Sequence, residues 1–89
     1  MSEKVKKKSK FIFFSDRILK LTAKGEIRYY TNKSEELRGI IPISKVLLVS
    51  VDGKDKSKIV TTRKTFVFRH SSQAQAALWV NSIKEMAAK

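Results

Sequence analysis

The sequence predicts a mostly β fold: six or seven short antiparallel strands in a barrel or sandwich, capped by one C-terminal α-helix. Three observations carry this reading. Up to residue 70 the apolar residues come in short runs with strand-like alternation, separated by turn residues. From Ser72 onward the apolar period becomes helical. With 89 residues, the chain has material for a single small core and no second domain.

The elements follow in order. Arg17-Ile18-Leu19-Lys20-Leu21-Thr22 alternates as a strand does, Ala23-Lys24-Gly25-Glu26 forms a turn with Gly taking positive φ, and Ile27-Arg28-Tyr29-Tyr30-Thr31 resumes as a strand. Asn32 to Leu37 is a polar loop. Ile40, Ile41 and Ile43 make a short strand interrupted by Pro42, which assigns it to an edge or a bulge. Val46 to Val51 is a β-branched run closed by the Asp52-Gly53 turn pair. Lys58 to Thr62 and Thr65 to Arg69 flank Arg63-Lys64 as a last hairpin, with Phe66 and Phe68 on one face.

Ser72-Gln73-Ala74-Gln75 then reads as a capping box. Beyond it Ala76, Trp79, Val80, Ile83, Met86 and Ala87 form one stripe, predicting a helix from about Ser72 to the C-terminus, ~27 Å long. A small curved sheet leaves one end open, and burying Trp79 there would plug it.

Composition narrows the function. Twenty Lys and Arg against 8 Asp and Glu give a net charge of +12, which points to an anionic partner. The absence of cysteine excludes disulfides, thiolate metal sites and a Cys nucleophile. One histidine supplies no metal cluster, so no metal or cofactor is expected. No apolar run reaches the ~18 residues of a membrane span, and Phe11 to Phe14 is too short for a signal-peptide core. The expectation is an intracellular soluble protein. No carboxylates pair for acid–base work and no nucleophile has a base at a telling spacing, so no enzyme is expected.

At this point the chain resembles a pleckstrin-homology (PH) domain over nearly its whole length. Ile27-Arg28-Tyr29-Tyr30 followed by Arg38-Gly39-Ile40-Ile41-Pro42-Ile43 is similar to the family's third and fourth strands, and Trp79 matches its recurrent helix tryptophan. Arg17-Ile18-Leu19-Lys20-Leu21 resembles the second strand. The Arg-Gly-x-Ile-Pro segment is similar to that of the phosphoinositide-binding PH domains of cytohesins and the phosphoinositide-dependent protein kinase.

The resemblance implies a seven-stranded antiparallel barrel with a phosphoinositide site at its open end. Its first-strand Lys falls on Lys6, with Lys8 and Lys10 lining the first loop. Arg17 takes the Arg position, Tyr30 the Tyr position and Arg38 the last basic position. Arg63 and Lys64 join from the turn between the sixth and seventh strands. Arg offers a planar fork to phosphate oxygens and Lys a mobile point charge. Residues 1–10 and 52–64 concentrate much of the charge. The family's basic-x-Arg pair is here Ser15-Asp16-Arg17, so Asp16 is expected to set a negative charge beside the pocket.

Other features have plainer readings. Of Tyr29 and Tyr30 one faces the core, and Tyr30 is taken as the rim residue. Phe13 and Phe14 are assigned to the core, whereas Phe11 and Ile12 belong either to strand core or to a loop tip that inserts among lipid headgroups. His70 is expected at the surface. The expected protein is a monomer on the cytoplasmic side, peripheral at the inner membrane face, and Met1 before so short a first strand suggests a domain excised from a longer chain. Two rival readings remain: a protein-binding module of the same fold with only non-specific lipid attraction, and, with less support, a nucleic-acid-binding barrel.

Overall fold

The computed structural model describes residues 1–9 and 13–88. Seven strands precede one helix: β1 (Ser2–Lys8), β2 (Phe14–Leu21), β3 (Glu26–Thr31), β4 (Leu37–Pro42), β5 (Val46–Asp52), β6 (Lys56–Thr61), β7 (Thr65–Arg69) and α1 (Gln73–Ala87). A 3₁₀ turn, Ile43–Lys45, links β4 to β5. Pro42 ends β4 because it has no N–H to give the ladder. Every paired strand is antiparallel, and the order across the sheet is β4-β3-β2-β1-β7-β6-β5. β4 is therefore an edge strand, as the position of its proline predicts.

The sheet coils back on itself. On a flat sheet β3 and β7 would lie three strand spacings apart, about 14 Å. Yet the Tyr29 ring on β3 lies 6.1 Å from that of Phe66 and 6.0 Å from that of Phe68 on β7. Phe66 and Phe68 stack within 3° of parallel on the same inner face. The enclosed core joins these rings to Val5, Leu19, Ile27, Ile41, Val49 and Ile59.

Helix α1 fills this core from the end where β7 finishes. Ser72 is its N-cap, and its side chain accepts a hydrogen bond from the Gln75 N–H at 3.1 Å. Ala76, Trp79, Val80 and Ile83 are buried against the sheet. Trp79 is 1% exposed, as a plug requires. The turns follow the predicted chemistry: Gly25 has φ of 87° and Gly53 of 74°, both in the left-handed region that glycine tolerates.

Three side chains depart from the sequence reading. His70 is buried and not at the surface: one ring nitrogen meets Glu3 Oε1 at 2.8 Å and the other meets Ser57 Oγ at 2.8 Å. A buried imidazole with both nitrogens partnered carries little desolvation penalty. Phe13 is 66% exposed because it lies in the loop before β2, whose Ser9 N–H donates to its carbonyl. Phe14 is half-buried beneath Arg69, whose guanidinium carbon lies 4.5 Å from the ring centre. The phase of β2 explains the difference: Leu19 and Leu21 face inward, so Phe14 faces outward. Phe11 and Ile12 lie outside the described residues.

Candidate functional site

Three sets of strand ends meet at the end of the sheet opposite the start of α1: the end of β1 with the start of β2, the end of β3 with residues 32–36, and residues 62–64 before β7. Two of them are held by threonine. Thr31 Oγ1 accepts from the Glu36 N–H at 3.0 Å, and Thr61 Oγ1 accepts from the Lys64 N–H at 3.2 Å while donating to the Lys64 carbonyl at 2.9 Å. These short polar turns fix the strand ends from which the cations project.

The period of two decides which cations share the opening. Val5 is buried, so Lys7 shares its inner face, and Lys6 faces outward. Lys7 stands opposite Ser15 and Phe68 in the ladders. Its ammonium lies 5.3 Å from the Tyr29 ring centre and 5.8 Å from that of Phe66. Lys64 reaches the same Phe66 ring, at 4.7 Å. Burial lowers the Lys7 pKa, and the charges of Lys64, Arg17 and Arg38 lower it further. Burial likewise raises the Tyr29 hydroxyl, against the opposing pull of Arg38 and Arg17. One half-buried ammonium thus sits among three other cations on a floor of aromatic rings.

Arg38 enters the cluster through a local irregularity. Tyr29 pairs with Gly39 but Tyr30 pairs with Leu37, so Arg38 occupies a bulge between them. Gly39 is required beside it. A Cβ at that position would fall on the hydroxyl end of the Tyr29 ring, which crosses directly over the glycine. The Arg38-Gly39 pair therefore combines a cation that the bulge displaces with the space that its tyrosine neighbour needs.

The predicted site residues divide between two faces. Arg17, Arg38 and Lys64 come together with Lys7, and Arg63 lies exposed in the adjoining turn. Lys6 does not join them. It stands outside, paired with Asp16 at 2.9 Å, and that bond holds the Asp16 carboxyl below its usual range. Asp16 is bonded to Lys6 on the outer face, yet it lines one depression together with Arg17, whose charge also lowers its carboxyl, so it remains a negative charge near that arginine, as expected. Lys8 shares the outer face with Lys6, and Tyr30 is also outside, with the Lys20 ammonium 5.0 Å from its ring centre. Lys10 lies outside the described residues. The positions passed over in the sequence, Lys7 and Tyr29, were marked by apolar neighbours two residues away, Val5 and Ile27.

Among the described residues no acid forms an ion pair with this cluster, and of its charges Asp16 feels only that of Arg17. The ion pairs among the described residues join Lys6 to Asp16, Arg28 to Glu26, Arg69 to Asp55 and His70 to Glu3, so Lys7, Arg17, Arg38 and Lys64 have none. The Arg17 Nη1 group donates to the Asp16 carbonyl at 2.8 Å, but its Nε is buried without a hydrogen-bond partner. Such an arrangement favours an anion with several acceptor oxygens.

Comparison with known proteins agrees with this architecture. The human protein "Arf-GAP with Rho-GAP domain, ANK repeat and PH domain-containing protein 2" is 41% identical over 56 residues, which are 62% of this chain and 3% of that protein. The mouse protein of the same description numbered 3 is 24% identical over 71 residues, or 80% of this chain and 5% of the relative. The chain thus spans a small fraction of these relatives. The solution structure of the N-terminal PH domain of human ARAP2 protein superposes with a TM-score of 0.86 at 32% identity, covering 98% of this chain and 77% of that one. A second solution structure, the PH domain of human oxysterol binding protein-related protein 11, shares the fold at 12% identity with a TM-score of 0.81, covering 98% of this chain and 78% of that one. The PH domain family matches residues 1–89, and the chain belongs to it.

Proposed function

We propose that this PH domain binds a phosphoinositide headgroup at the open end of its sheet and brings a larger protein to an anionic membrane. The observation that carries the reading is the Lys7 ammonium, half-buried on Tyr29 and Phe66 among Lys64, Arg17 and Arg38, with no carboxylate partner among the described residues. Bringing these charges together costs stability in the free protein, and a multiply phosphorylated anion reverses that cost. Arg63 and Lys64 guard the entrance from the β6–β7 turn, and Lys10 stays in the proposed set on the family resemblance alone. Long-range attraction of the +12 domain would precede docking, at about 1 kcal/mol per cation near an anionic leaflet.

The finer likeness, to the PH domains of cytohesins and the phosphoinositide-dependent protein kinase, rests on the Arg38-Gly39-Ile40-Ile41-Pro42 segment. A second reading, a protein-binding module, is favoured by edge strand β5, where Leu47 is 67% and Leu48 57% exposed.

Liposome sedimentation over a phosphoinositide panel, at two salt concentrations, tests the proposal. Arg17→Ala and Arg38→Ala are expected to weaken binding well beyond the change produced by Lys84→Ala on α1. Equal binding to any anionic lipid, lost steeply with salt, would reduce the domain to non-selective adsorption.

A further inference from the structure

The outer face carries a second set of cations that the opening does not use. Cross-strand pairing sets Asp52, Lys56, Arg69, Lys6 and Asp16 opposite one another in one row across β5, β6, β7, β1 and β2. Three cations therefore stand directly opposite each other on adjacent strands, an arrangement that destabilises a sheet, with an acid at either end. Lys4 and Lys8 extend the row along β1, two residues to each side of Lys6, and Lys58 extends it along β6. The result is a basic strip three strands wide, about 10 Å between its outer strands, with acidic borders.

Two depressions open on this strip. One, of 410 Å³, lies between Lys8 and Lys58 over Val67, with Asp52 at its edge. The other, of 270 Å³, is lined by Lys4, Lys6 and Arg69 together with Asp16 and Arg17. Arg69 Nε, between them, is buried without a hydrogen-bond partner and stands 3.9 Å from Asp55 Oδ2, too far to bond.

We propose that the strip docks an extended acidic peptide segment of a partner protein, lying along β1. The spacing favours such a chain. Lys4, Lys6 and Lys8 recur every ~6.8 Å on one face, which is also the spacing of alternate side chains in an extended peptide. Acidic residues at every second position would meet Lys4, the Lys6–Arg69 pair and Lys8 in turn, with Lys58 and Lys56 alongside. The acids argue against a membrane: Asp16 and Asp52 edge the two depressions, and a flat anionic surface would press on both, whereas a single chain lying along β1 can follow Lys4, Lys6 and Lys8.

Fluorescence anisotropy with a labelled peptide of about twelve residues, alternating Glu and Ser, tests the strip, since an extended chain of that length spans β1. Lys4→Glu with Lys58→Glu is expected to weaken binding about tenfold or more, while a control with the same total charge change away from the strip, Lys24→Glu with Lys84→Glu, shifts it by less than about twofold. A peptide of the same composition with its Glu and Ser in two blocks is expected to bind at least about threefold more weakly than the alternating one. Equal binding of the two peptides, or an equal loss with the Lys24→Glu, Lys84→Glu control, would overturn the proposal in favour of diffuse attraction to a cationic domain. Displacement of the peptide by phosphatidylserine vesicles, with the strip variant losing vesicle binding in parallel, would overturn it in favour of lipid. The strip variant is also expected to lose no more binding to phosphoinositide vesicles than the control of equal total charge change, so failure here is distinguishable from failure of the headgroup site.

Discussion

Lys6 and Lys7 are neighbours in the chain and stand on opposite faces of β1, the first bonded to Asp16 at 2.9 Å and the second 5.3 Å from the centre of the Tyr29 ring. Lys6 has its charge answered and Lys7 does not. The domain thereby separates a partnered outer lysine from an inner one that stands among other cations.

That separation predicts a trade between stability and binding. Lys7→Met removes a partly desolvated cation from beside Lys64, Arg17 and Arg38 while retaining an apolar stem over Tyr29 and Phe66. The variant should melt roughly 2–4 °C higher, corresponding to about half a kcal/mol in a domain of this size, and bind phosphoinositide vesicles more weakly. Calorimetry with parallel sedimentation measures both, and a lower melting temperature would show that the cluster is not strained.

Gly39 predicts a different failure. Gly39→Ala would push the Tyr29 ring off its contacts with Phe66 and Phe68, at a cost of about 1–3 kcal/mol. Because the same ring floors the Lys7 site, binding should fall with stability. Urea titration reads the first effect, and near-ultraviolet circular dichroism reads the displaced aromatic cluster.

Acid should act through Glu3. Burial alone would raise its carboxyl, but hydrogen bonds from His70 and from the Ser71 N–H and hydroxyl outweigh it, and the net pKa lies below the ordinary value of 4.5. A carboxylate depressed on folding stabilises the protein above its unfolded pKa, and that contribution is lost as the pH falls through the folded value. Urea midpoints should therefore drop below about pH 4.5, and Glu3→Gln should flatten this dependence. An unchanged acid limb in the variant would remove Glu3 from the account.

Trp79 closes the core from the helix side and packs against His70, with ring centres 5.9 Å apart. Trp79→Ala should cost about 3–5 kcal/mol, a large share of what a small domain has. Far-ultraviolet circular dichroism on heating would record the loss, and a melting temperature within a few degrees of the parent would contradict the plug.

Much of this was legible in the sequence because it is local. Gly25 and Gly53 mark their turns, Ser72 caps its helix, and Ala76, Trp79, Val80 and Ile83 state the buried stripe. What was harder to read depends on phase and on distant partners. Val5 is the one apolar residue between Ser2 and Lys8, so the facing of the Lys6-Lys7-Lys8 run hangs on it alone. The strand phase of Phe14 was hidden by the apolar run around it. His70 found its partners 67 residues back at Glu3 and 13 residues back at Ser57, separations that no local pattern encodes.

The most direct test of the central claim compares two adjacent single substitutions, Lys6→Gln and Lys7→Gln, in sedimentation with phosphoinositide-containing vesicles. The account predicts that Lys7→Gln weakens binding about tenfold while Lys6→Gln stays within about twofold of the parent. A loss with Lys6→Gln equal to or greater than that with Lys7→Gln would contradict it and move the headgroup site to the outer face.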